Sequence, residues 1–133
     1  MRVVIQRVKQ ASVTVENQLI SEIKHGFMIL LGIETRDNIE DVEYLVTKIA
    51  KLRVFDDENG VMNLDIITTK GEMLVVSQFT LHAMTRKGNR PSYIRAARPE
   101  QAIPLYEQFI EKLKSETNCP VLTGQFGAMM DVA

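Results

Sequence analysis

Two runs of almost unbroken apolar residues, FMILLGIE at 27–34 and EMLVVSQF at 72–79, constrain this chain more than any other feature. The first reads as a strand buried on both faces, and the second, following Gly71, as another apolar strand bounded by polar residues. Ahead of them, residues 2–9, 11–16 and 18–24 are short, β-branched and partly alternating, and ENQ between the last two predicts a hairpin turn. His25-Gly26 punctuates the pattern.

Helical spacing then takes over. Ile39, Val42, Leu45, Val46, Ile49 and Leu52 recur every three to four residues, with Asp37 as the expected N-cap and Glu40 three residues on. DDENG at 56–60 is a strong turn signal. A second amphipathic helix is expected within 99–117, carrying Ile103, Tyr106, Phe109, Ile110 and Leu113 on one face. Pro104 costs an interior hydrogen bond, so its regular part is expected to begin near that residue. CPVLTGQF reads as a late strand and GAMMDVA as the start of another. Two main helices with six or more strands predict a single α+β domain over 1–133, with a curved sheet or a small barrel and not a doubly wound parallel sheet.

Composition excludes several classes. The 133 residues are 45% hydrophobic and 25% charged with net charge -1, which is ordinary for a globular domain and names no partner. The N-terminus lacks the apolar core and cleavage site of a signal peptide, and no apolar run is long enough to span a bilayer. Cys119 is the only cysteine, so an intrachain disulfide and every CxxC motif are excluded, and a reducing, cytoplasmic setting is expected.

The common catalytic signatures fail as well. There is no GxxxxGK[ST] loop, no GxGxxG after a strand, no HExxH and no GxSxG elbow. His25 and His82 have no partner at metal-ligand spacing, and His25 reads as a turn residue. His82, close to Ser77 and Thr80, is a candidate base, although strand alternation does not aim it at them.

Charge is distributed unevenly. From Met73 to Pro99 no residue is acidic, while Arg86, Lys87, Arg90, Arg95 and Arg98 are basic. Gly88, Asn89 and Pro91 make part of this stretch a loop, and a basic loop after a buried strand can hold phosphates by charge and by guanidinium hydrogen bonds. The plainer alternative is a solvated loop balanced by acids elsewhere in the fold. Ser77, Gln78, Phe79 and Thr80 stand where the strand feeds that loop, a common place for chemistry. They could equally satisfy backbone groups at a strand terminus.

Five segments, MRVVIQRV...ASVTV, GFMILLGI, SQFTL, TRKGNRPS and TGQFGAMM, resemble the D-aminoacyl-tRNA deacylase family in order and spacing, and the resemblance covers the whole chain. It implies a homodimeric, metal-free tRNA-editing hydrolase without a cofactor, which removes D-amino acids and misattached glycine from the 3′ end of aminoacyl-tRNA. In that reading Ser77, Gln78, Phe79 and Thr80 line the aminoacyl pocket, with backbone N–H groups near Phe79 and Thr80 as oxyanion donors. Gln78 also helps hold the terminal adenosine. Met130 stands near the adenine, with Met129 as the alternative register, Arg7 buttresses the site, and Arg86, Lys87 and Arg90 meet the phosphates. Thr80 positions substrate, because the substrate's own 2′-hydroxyl supplies acid/base chemistry and no base is evident to make Thr80 a nucleophile.

The family continues into a further strand and an NxGP segment that crosses the dimer and rejects L-amino acids. No proline among Pro91, Pro99, Pro104 and Pro120 fits that role, so the expectation is that this element lies beyond Ala133, the alternative being a protein without that gate. Two other readings remain at this stage: a nucleic-acid-binding module without turnover, and a structural protein in which 77–80 is only a strand end.

Overall fold

A computed structural model describes residues 1–133. Its elements are β1 (Arg2–Val8), β2 (Ala11–Val15), β3 (Gln18–Ile23), β4 (Gly26–Gly32), α1 (Ile39–Lys51), β5 (Phe55–Asp56), β6 (Met62–Leu64), β7 (Glu72–Ser77), a 3-10 turn (Phe79–His82), α2 (Pro99–Thr117), β8 (Val121–Thr123) and β9 (Asp131–Val132). The α+β class and the two main helices are as expected. The strands do not close into a barrel: they form open sheets ordered β1-β4-β7-β8, β3-β2-β9 and β5-β6.

The two apolar runs are the central strands of the four-stranded sheet. β4 pairs antiparallel with β1 and parallel with β7, and β7 pairs parallel with β8. Parallel neighbours need long crossovers, and α1 and α2 lie in the two connections. Alternation then divides the side chains between two cores. Phe27, Ile29, Leu31, Met73 and Val75 face α1 and α2 in the larger core. Leu74 and Val76 face Ala11, Val13 and Ile23 in the smaller one, beneath the three-stranded sheet. Helices on one face and a second sheet on the other explain why both strands are apolar on each side.

Local rules account for most boundaries. Glu16 and Asn17, at φ 49° and 63°, form the β2-β3 turn predicted from ENQ. α1 is capped by Asn38, not Asp37: the Asn38 side chain accepts from Glu40 N–H at 2.8 Å, and Asp41 accepts the Asn38 N–H at 2.9 Å. Asp37 is buried, paired with the Met1 ammonium and accepting the Glu34 N–H at 2.7 Å. In the DDENG turn, the N–H groups of Val61 and Asn59 hold the Asp57 carboxyl below its ordinary range.

α2 corrects two expectations. It starts at Pro99, a position where the missing N–H is harmless, and runs through Pro104. Its buried face carries Ala102, Tyr106, Phe109, Ile110 and Leu113, while Ile103 is exposed. No helix is long and apolar enough to cross a membrane.

Candidate active site

β7 ends at Ser77, opposite Leu31 of β4, and the next residue keeps the ladder for one more bond, Gln78 N–H donating to Leu31 O at 2.8 Å. The chain then tightens into the 3-10 turn, closed by Leu81 N–H to Gln78 O at 3.3 Å and Ala83 N–H to Thr80 O at 3.1 Å. First-turn N–H groups have no intrahelical acceptor. Those of Phe79 and Thr80 also donate to no loop carbonyl or side chain. Beside them the Gln78 side-chain amide donates to Thr80 Oγ1.

The turn borders a cavity of about 370 Å³. Ser77, Gln78 and Phe79 form one side, and the rest is mostly apolar, including Leu31, Ile33, Ala97 and Phe126. Met130 also lines it and packs into the smaller core, whereas Met129 is 92% exposed at the rim. A Cβ on Gly124 would lie 2.5 Å from the Met130 sulfur, so the absence of a side chain there seats the thioether. The arrangement offers an apolar compartment with an amide, two hydroxyls and two free backbone donors at its edge. That suits a flat or apolar group held beside a carbonyl whose oxygen acquires negative charge.

His82 does not take part in this cavity. It is 5% exposed and lies on another side of the turn, with Nδ1 3.2 Å from a Glu34 carboxylate oxygen and Nε2 without a partner. The other Glu34 oxygen pairs with Arg36 Nε at 2.8 Å. Arg2 donates to Leu81 O, so the outer side of the turn is held by polar contacts.

The basic loop springs from the same turn. Met84 and Ser92 exchange backbone bonds of 2.8 and 3.0 Å, closing a loop that carries Arg86, Lys87 and Arg90, all exposed. The returning chain bridges Glu34 through Ala96 and donates from Ala97 N–H to Ile33 O at 2.9 Å before entering α2. Arg86, Lys87, Arg90, Arg95 and Arg98 form no ion pair, so acids elsewhere do not balance them locally.

Thus one end of the sheet collects Ser77, Gln78, Phe79, Thr80 and Met130, with the basic loop attached. Arg7 stands elsewhere: it faces Phe27, four residues back along β4 from Leu31, roughly 13 Å away at ~3.3 Å per residue. There its guanidinium donates to Val54 O at 2.6 Å and meets Asp56 at 3.2 Å. Sequence reasoning missed Ile33, Ala97, Ala102 and Phe126 as cavity walls and Tyr93 as the neighbour of Phe79. These residues come from separate segments, and no periodic pattern marks them.

Comparison with known proteins points the same way. The family described as D-Tyr-tRNA(Tyr) deacylase matches residues 4–133. A D-aminoacyl-tRNA deacylase of Phocaeicola vulgatus is 61% identical over 132 residues, covering 99% of this chain and 88% of the relative. One of Bacteroides fragilis is 59% identical with the same coverage. A solved structure described as c-Myc DNA Unwinding Element Binding Protein superimposes with a TM-score of 0.94 at 42% identity, covering 99% of this chain and 89% of that one.

Proposed function

The chain belongs to the D-Tyr-tRNA(Tyr) deacylase family, and on that premise we propose that the Ser77–Thr80 turn is where it opens the ester of D-aminoacyl-tRNA. It is a D-aminoacyl-tRNA deacylase, a tRNA-editing hydrolase. The observation that carries the site assignment is the pair of unused N–H groups on Phe79 and Thr80 at the edge of an apolar cavity.

In this reading the ester carbonyl oxygen points at those two N–H groups. They stabilise the negative charge that develops as water attacks, an effect worth about 3 kcal/mol per donor in acyl-transfer enzymes. The terminal adenosine enters the cavity, with Gln78 and Met130 against it. Proton transfer falls to the substrate's neighbouring 2′-hydroxyl, since His82 faces Glu34 and no carboxylate lines the cavity. Thr80, accepting from Gln78, orients the reacting group. Arg86, Lys87 and Arg90 meet the acceptor-end phosphates. Glycine esterified to tRNA fits the same site, because it brings no side chain to be rejected. The products are free amino acid and tRNA.

The working form in this reading is a homodimer acting in the cytoplasm, where aminoacyl-tRNA is made and used. Arg7, distant from the turn within one chain, has its supporting role only if assembly brings it nearer.

The test is release of labelled tyrosine from D-tyrosyl-tRNA and L-tyrosyl-tRNA in parallel, with chelator present, and from D-tyrosyl-tRNA ending in 2′-deoxyadenosine. Release from the D-ester alone, undiminished by chelator and slowed at least a hundredfold on the deoxy substrate, is expected. Full activity on the deoxy substrate would remove the 2′-hydroxyl from the mechanism. A second reading, nucleic-acid binding without turnover, draws on the described DNA-element binding of the 42%-identical relative, and salt-sensitive tRNA binding with no release of tyrosine would favour it.

A further inference from the structure

Exposed apolar side chains stand beside the cavity mouth, where Phe79 lines the cavity and Tyr93 packs against it. Phe79 is 56% exposed, Tyr93 38% and Ile94 80%. The rings of Phe79 and Tyr93 meet edge to face, their centroids 5.1 Å apart at 78°. Tyr93 directly follows Ser92, the residue that closes the basic loop against Met84, and stands two places before Arg95. An open aromatic pair therefore lies between the cavity and three free cations. The fold does not require it there, since neither ring belongs to either core.

We propose that Tyr93, edge-on to Phe79, forms a stacking platform for the unpaired nucleotide that precedes the terminal adenosine of aminoacyl-tRNA. This rests on the reading that the ester is held at Ser77–Thr80. With the terminal nucleoside in the cavity, the chain leaves through the mouth, which Phe79 borders. Its first phosphodiester turns toward the positive loop, and the base attached beyond it meets the aromatic pair. Stacking is tolerant of base identity and combines with a cationic groove along the backbone in proteins that hold single-stranded nucleic acid. Such tolerance suits an editing enzyme that meets many tRNAs. A second copy of the chain is a poorer occupant, because a two-fold contact sets the same patch against itself and would bring the unpaired Arg86, Lys87, Arg90, Arg95 and Arg98 of both copies together.

The experiment compares wild type, Tyr93→Ala and Tyr93→Phe on two substrates, D-tyrosyl-tRNA and D-tyrosyl-adenosine, which carries the same ester without a preceding nucleotide. Molecular mass in solution is measured for each variant. Tyr93→Ala is expected to raise KM for the tRNA about tenfold at unchanged kcat, in keeping with the loss of one base stack. Tyr93→Phe keeps the ring and stays near wild type, and all three proteins cleave D-tyrosyl-adenosine alike. An equal loss on both substrates, no loss on the tRNA, or a changed mass would overturn the platform. Wild-type failure on both substrates would overturn the underlying site assignment as well, so the two failures are distinguishable.

Discussion

Glu34 places a carboxylate oxygen 3.2 Å from His82 Nδ1, and this contact joins the exit of β4 to the last residue of the turn that presents Phe79 and Thr80. Both side chains are largely buried, so the contact is little screened by water. His82→Ala removes one partner and leaves a void beside Gly32, and the unfolding free energy is expected to fall by about 1–3 kcal/mol. Because the pair fixes the turn and touches no substrate, kcat should drop while KM for D-tyrosyl-tRNA stays within twofold. Urea titration with steady-state kinetics checks this. Glu34→Gln, which retains an acceptor and the volume, should lose less of both, and a larger loss would place the effect in charge and not in geometry.

Thr80 accepts a hydrogen bond from the Gln78 amide, so its hydroxyl is already part of a fixed network. If the substrate's 2′-hydroxyl moves the proton, Thr80→Ala should lower kcat by less than about tenfold, the scale of one lost neutral hydrogen bond. Gln78→Ala should cost more if, as proposed, the amide also meets the adenosine, since its loss would then raise KM as well. Single-turnover rates at saturating protein separate the two effects. Abolished chemistry in a folded, tRNA-binding Thr80→Ala protein would instead identify Thr80 as the nucleophile.

Much of this architecture was legible because local chemistry and tertiary context agree. FMILLGIE and EMLVVSQF announce strands covered on both faces, and ENQ announces its turn. Elsewhere a distant partner decided. Asp and Asn are equivalent N-caps on propensity, but the Met1 ammonium claims Asp37 and leaves the cap to Asn38. Burial of Ala102 in the first turns of α2 carries the helix upstream of Pro104 despite the lost bond. Whether strands close a barrel or stack as open sheets depends on pairings between remote segments, which alternation does not encode. Ser77–Thr80 was visible in the sequence as a strand end, and resemblance alone marked it as a candidate site. The walls supplied by Ile33, Ala97 and Phe126 arise only when three segments converge.

Gly124 and Met130 give a test of the cavity itself. A methyl at Gly124 would meet the Met130 sulfur at 2.5 Å and the Val13 methyls at an ordinary 3.7 Å, so the thioether is the group that must move. Gly124→Ala is therefore expected to destabilise by about 1 kcal/mol, the low end of overpacking because the thioether is flexible, and to raise KM for D-tyrosyl-tRNA severalfold. A paired Met130→Ala change should restore stability by making room, without restoring KM. Thermal melts and kinetics of both variants decide it. An undisturbed KM in Gly124→Ala would detach Met130 from substrate binding.

The basic loop makes the most separable prediction, because Arg86, Lys87 and Arg90 are exposed, unpaired and belong to neither core. Replacing all three with alanine should leave the melting temperature within a few degrees, since surface changes of this kind are nearly neutral. Binding to tRNA should weaken, and its dependence on salt should flatten. Each phosphate contact to a single strand contributes about 0.7 to the slope of log K against log salt, so losing three predicts a decrease of about 2. Hydrolysis of D-tyrosyl-adenosine, which lacks the acceptor-end phosphates, should be unchanged. The slope is the informative quantity: weaker binding with an unaltered slope would mean that the loop acts on the shape of the mouth and makes no direct contact with phosphate.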